Sequence, residues 1–130
     1  MIENMATGTR TEVLEAARSF ARAIGECPKF REYEQAEGSI KEDAEARTLL
    51  TEYQEAQQTM RMLQSWSGGN SHHNAQFREL ENKVFQQPKL RRYFDAQEGL
   101  ILMIQKLNSS LQEELGFDFA RLARPAGGCC

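Results

Sequence analysis

The chain has 130 residues, 27% of them charged and 40% hydrophobic, with a net charge of −3. That is enough for one domain and too little for two. Positive and negative side chains are interspersed, so no basic excess marks a nucleic-acid footprint, and no direct nucleic-acid binding is expected. Ala, Glu, Gln, Arg and Leu dominate, all good helix formers, and most of the nine glycines fall outside the periodic segments.

Thr9-Arg10-Thr11-Glu12 has the form of a capping box, with Thr9 as the cap of a first helix. Val13, Ala17, Phe20 and Ile24 then recur at helical spacing, and Cys27 falls next on that stripe. Pro28 prevents the helix from running on unbroken. A shorter second helix carries Phe30, Tyr33 and Ala36, and Gly38-Ser39 predicts a break or kink near its end. Asp43 is a good cap for a third helix. Its stripe, Ala46, Leu49, Tyr53, Ala56, Met60 and Leu63, is spaced 3-4-3-4-3, the seam of helices packed at a shallow angle. It should reach Trp66, before a Gly-rich loop at Ser67-Gly68-Gly69-Asn70-Ser71.

A fourth helix carries Phe77, Leu80 and Val84, and Pro88 opens a long fifth. The fifth is apolar around its whole circumference near Leu100-Ile101-Leu102-Met103-Ile104. Such a stretch must be covered, either by other helices of the same chain or by a second subunit. Tyr93, Leu100, Ile101, Met103 and Ile104 are therefore the candidate interaction face. The pattern is lost from Phe119 on, so residues 1–118 are expected to form a single helical domain and 119–130 a flexible C-terminal tail ending in Cys-Cys. No segment alternates with period two. The expected fold is all-α, with about five helices, the two long ones packed as an antiparallel bundle or hairpin, and oligomeric.

One internal repeat stands out. Pro28-Lys29-Phe30-Arg31-Glu32-Tyr33-Glu34-Gln35-Ala36 resembles Pro88-Lys89-Leu90-Arg91-Arg92-Tyr93-Phe94-Asp95-Ala96, sixty residues later. Either two helical corners use the same grammar or the chain is internally duplicated. In both cases the repeat concerns packing and not chemistry.

In their order and spacing these segments resemble the YlbF/YmcA family of small bacterial regulators. The resemblance runs over roughly residues 10–116, from the first helix through P-K-F-R-E-Y-E-Q-A-E and D-A-E-A-R-T-L-L-T-E-Y-Q to P-K-L-R-R-Y-F-D-A-Q-E-G-L. It implies an all-helical, self-associating, non-enzymatic protein. Similar members act in a complex with each other and a third protein, affecting a developmental phosphorelay and ribonuclease Y-dependent processing of messenger RNA. The resemblance also implies a [4Fe–4S] cluster shared with a partner.

Few residues carry chemistry by themselves. Cys129 and Cys130, on a Gly-Gly hinge, are candidate cluster ligands, but a cluster takes about four thiolates, so the rest would come from another subunit. The bland alternative is a pair of exposed thiols. Cys27, on an apolar stripe, reads as a core thiol. Three cysteines make no disulfide framework, and Met1 to Arg10 lacks the apolar core of a signal peptide, so a cytoplasmic, reducing location is expected. The longest apolar run is far too short to span a bilayer. His72 and His73 are adjacent, not at the i, i+4 spacing of a helical metal site, and read as surface residues. Glu12/Glu15, Glu52/Glu55, Glu79/Glu81 and Glu113/Glu114 lie on polar helix faces, and no Glu-x-x-His motif accompanies them. No metal site and no catalytic set is expected.

Overall fold

The computed structural model describes residues 2–67 and 71–125, with side chains from Gly8 on, those of 67–72 excepted. Among the described residues there are six helices: α1 (Ile2–Glu26), α2 (Pro28–Lys41), α3 (Ala44–Ser67), α4 (Ser71–Gln86), α5 (Pro88–Leu115) and α6 (Phe119–Leu122). There is no strand among the described residues. The all-helical class follows the sequence, and the first five helices are the ones its periodicity predicts.

Two of the connections are built alike. At Cys27 the backbone turns extended (ψ 139°), and Pro28 takes the first position of α2, where its missing N–H removes no helical bond. The Cys27 N–H donates to the Ile24 carbonyl at 3.0 Å, and the Arg31 N–H to the Cys27 carbonyl at 3.1 Å. At Gln87 (ψ 116°) the same corner recurs before Pro88. There the Gln87 N–H donates to the Val84 carbonyl at 3.2 Å, and the Arg91 N–H to the Gln87 carbonyl at 3.0 Å. The corners differ in one respect: Gln87 Oε1 accepts from the Leu90 N–H at 2.9 Å, whereas Cys27 makes no side-chain cap.

Between α2 and α3 the chain reverses at Glu42-Asp43. Asp43 Oδ1 accepts the Ala46 N–H at 3.1 Å, the cap expected from its side-chain type. Its Oδ2 pairs with Lys89 Nζ at 3.0 Å, which ties the start of α3 to the start of α5. The distal end of α5 closes on Gly116, whose φ of 77° is a left-handed conformation that costs glycine little.

Two local expectations are corrected. Thr9 does not cap a helix start, because α1 already runs from Ile2, and a capping box inside a longer helical run has no end to cap. Gly38-Ser39 does not break α2, which continues to Lys41 with the Ser39 hydroxyl donating to the Gln35 carbonyl. Beyond α5, Asp118 caps the short α6 by accepting the Arg121 N–H at 3.1 Å.

The core gathers Ala36, Ile40, Ala46, Tyr53, Val84, Leu90 and Tyr93 from α2, α3, α4 and α5. The closest pairings are α2 with α5 and α3 with α4. α2 runs antiparallel to α5. Tyr33 and Tyr93 meet at ring centroids 5.5 Å apart, and Lys29 lies over Gly99. Tyr53 stacks on Phe77 of α4 at 5.6 Å and meets Phe94 of α5 edge-on at 5.7 Å, which joins the two helix pairs. The heptad stripe of α3 is therefore the seam that its 3-4 spacing predicts, and α4 is its main occupant.

Candidate interaction surface

The apolar stretch of α5 divides by side. Leu100 is buried beneath the rest of the chain, and so is Tyr93, in the core. These two are removed from the proposed interaction face, because the antiparallel α2 already occupies that side of α5. Met103 is half-buried. Ile101 and Ile104 are each 47% exposed, and Leu102 is exposed beside them. The chain's own helices thus cover one side of this stretch and leave the other open.

A second open face, outside the apolar stretch of α5, lies on α1. Val13 is 62% exposed and Phe20 43%, with Leu14 also open. α1 packs against α2 and against no other described helix. The sequence alone does not mark this face as open, because its stripe has the form of a core stripe. Ala17, Phe20 and Ile24 stand sixty residues before Phe77, Leu80 and Val84, so the helices that lead to the two Pro corners share the spacing of their apolar stripes. Trp66, at the end of α3, is 87% exposed.

The centre of the repeat is a tyrosine pair. The Tyr33 and Tyr93 hydroxyls lie 3.4 Å apart. Burial, helped by the Tyr33 hydroxyl, pushes the Tyr93 phenol up to about 12. Burial also raises Tyr53, with Glu81 adding repulsion. Asp43 is held below the usual carboxylate range, first by the Ala46 N–H and then by Lys89. These shifts follow from core packing and capping. None brings a nucleophile together with a base.

The remaining candidates are dispersed. Cys27 is half-buried at the α1–α2 corner, so it is a corner residue and not a core thiol. Cys129 and Cys130 lie outside the described residues. A four-thiolate cluster does not fit the described residues, which offer Cys27 alone. No three His, Cys, Asp or Glu among them are grouped to hold a metal ion. His73 sits in the first turns of α4, half-buried beside Ala56, Thr59 and Met60 of α3, and is not the open surface residue expected. The side chain of His72 is outside the described set. Glu52 and Lys83 line a shallow groove of about 750 Å³ between α3 and α4. Among the described residues no helix is long and apolar enough to cross a membrane.

What the fold presents, then, is two open apolar helix faces on a small packed centre. Residues 13–116 match the family described as control of competence regulator ComK, YlbF/YmcA. The chain belongs to the YlbF/YmcA family. The match begins on the α1 stripe at Val13 and ends at Gly116, the cap of α5. A UPF0342 protein of Streptococcus uberis is 25% identical over 97 residues, 74% of this chain and 87% of the relative. A UPF0342 protein of Streptococcus pyogenes serotype M5 is 27% identical over 90 residues, 68% of this chain and 80% of the relative. The YlbF/YmcA description is a regulatory one.

Proposed function

We propose that this YlbF/YmcA protein is a non-enzymatic regulatory adaptor of the cytoplasm. It self-associates and holds other proteins of one regulatory complex, of the kind that serves a developmental phosphorelay and ribonuclease Y-dependent processing of messenger RNA. The observation that carries this reading is the pair of apolar faces left open on α1 and α5, in a family described by control of another protein. Scattered exposed apolar side chains are ordinary, but contiguous ones on rigid helices mark contact sites.

The test is capture of the tagged full chain from its native host, with mass spectrometry of what is retained, alongside a transcript survey of a deletion strain. The expected result is a fixed, stoichiometric set of family members and altered stability of specific messages. A chain that retains no other protein, in a host whose transcripts do not change on deletion, would refute the adaptor reading.

A further inference from the structure

The two Pro corners are built alike, but the helices that lead to them use their apolar faces unequally. In the second half, Phe77, Leu80 and Val84 of α4 face α3, whose Leu49 and Tyr53 belong to the same cluster. In the first half, the equivalent Ala17, Phe20 and Ile24 of α1 meet no such helix. A cover with the character of α3 is missing there.

The chain owns a helix of that character. Ile104, Leu107 and Leu111 in the distal half of α5 repeat the 3-4 step of Ala46, Leu49 and Tyr53 in α3. In the first half the turn at Glu42-Asp43 separates α2 from α3 and lets α3 fold back onto α4. α5 has no such turn. It is one helix of 28 residues, roughly 42 Å long at 1.5 Å per residue, and it makes no contact with α1. Ile104 is exposed, Leu107 and Leu111 are half-buried on the end of α5 that α6 also touches, and the unbroken run of α5 keeps this seam apart from the α1 stripe within one chain.

We propose that a second copy supplies the missing cover: α1 of each protomer packs antiparallel along the distal half of α5 of the other, in a reciprocal two-fold dimer. This deepens the adaptor reading and rests on it for its purpose. The register of the antiparallel α3–α4 pair, carried over, sets Phe20 and Ile24 of one copy against Leu111 and Leu107 of the other. It also brings Arg18 toward Glu113 and Glu114, and Glu26 toward Lys106, opposite charges at both ends. Because each copy gives α1 and receives on α5, the arrangement is self-complementary and stops at two.

The test uses the full chain with Cys27, Cys129 and Cys130 changed to Ser. Phe20→Cys and Leu111→Cys are placed on separate chains, mixed and oxidised. The expected product is a mixed disulfide dimer, formed roughly tenfold or more faster than either self-pair, because only the mixed pair is held in the bonding range. In sedimentation equilibrium the unmodified chain should show twice its 14.9 kDa mass. Phe20→Asp or Leu111→Asp should weaken the dimer by roughly hundredfold or more, since each substitution counts twice in a two-fold interface, with helical circular dichroism retained. A monomer would overturn the proposal. So would preferential cross-linking of two Phe20→Cys chains to each other. Closure of the two introduced thiols within a single chain carrying both Phe20→Cys and Leu111→Cys would overturn it as well. A monomer that still retains partner proteins overturns the exchange and leaves the adaptor reading standing. A dimer linked as expected that retains no other protein does the reverse.

Discussion

Leu90 offers the most direct test of the packing at the start of α5. Its side chain is wholly buried in the cluster that holds Ala36, Ile40, Ala46 and Tyr53. Leu90→Ala removes its apolar surface from that cluster and leaves a cavity between helices whose ends are pinned by the Pro corner and the Asp43–Lys89 pair. The site has little freedom to collapse, so the cost should be about 3 kcal/mol. Unfolding entropy of about 2.1 cal/mol/K per residue, over 130 residues, is about 0.27 kcal/mol/K. The melting temperature should therefore fall by roughly 11 °C. The assay is thermal and urea unfolding followed by far-ultraviolet circular dichroism, at one fixed chain concentration because any association would shift the midpoint. Leu90→Met, which conserves volume, should cost under about 1.5 kcal/mol. Leu102→Ala, at an exposed position of the same helix, should stay within about 0.5 kcal/mol. A melt of Leu90→Ala within a few degrees of the parent, or a Leu102→Ala loss as large, would refute the reasoning.

The corner at Cys27 has the extended backbone of a helix cap without a side-chain acceptor. Cys27→Ser supplies one and should raise stability by about 0.5 kcal/mol, seen as a higher urea midpoint; a lower midpoint contradicts the capping argument. Gly116→Ala forces a Cβ into the left-handed region at φ 77° and should cost about 1 kcal/mol by the same measurement. The Tyr93 phenol lies at about 12 in the fold against its ordinary value of 10.0. Its folded value is raised, so the contribution of the neutral phenol is fully present below pH 10 and is lost as pH rises through about 12. Urea midpoints of the parent should fall over that window, and Tyr93→Phe should flatten the fall.

Much of the fold was legible because it rests on local chemistry. Pro28 and Pro88 restart helices where their missing N–H costs nothing, Asp43 caps α3, and the 3-4 seam of α3 marks its buried side. Thr9 misled because a capping box signals a helix end only when the chain upstream is not helical, and α1 is already helical from Ile2. Gly38 misled because one glycine inside a helix costs only about 1 kcal/mol, less than the packing of Ala36 and Ile40 on either side secures. The exposed side of α5 was half legible. Composition shows that residues 100–104 are apolar all round, but which side α2 covers is a matter of tertiary pairing. Tyr93 and Leu100 were spent on that pairing. The α1 face was hidden differently: its stripe reads like any core stripe, and only its unpartnered position in the fold distinguishes it from its twin on α4.

The inequality of the halves traces to Asp43, which gives the last prediction. Its carboxylate caps α3 and holds Lys89 at the head of α5, so it stabilises the reversal between α2 and α3. Sixty residues on, at Met103, no such side chain exists, and α5 runs straight on. Hydrogen bonding from Ala46 and the Lys89 charge both lower the Asp43 value below 3.8. Because the folded value is depressed, this stability is present above pH 3.8 and is lost as pH falls through the lowered value. Asp43→Asn retains an acceptor for the Ala46 N–H and removes the charge. The parent should lose stability faster than Asp43→Asn as pH falls below about 4, and the two should run parallel near neutrality, read as urea midpoints across the acid range. The difference isolates Asp43 from other carboxylates, which are common to both proteins. Equal acid slopes would show that the reversal is held by packing of Ile40 and Ala46 alone, and that the charge at Asp43 is incidental to the shape of the chain.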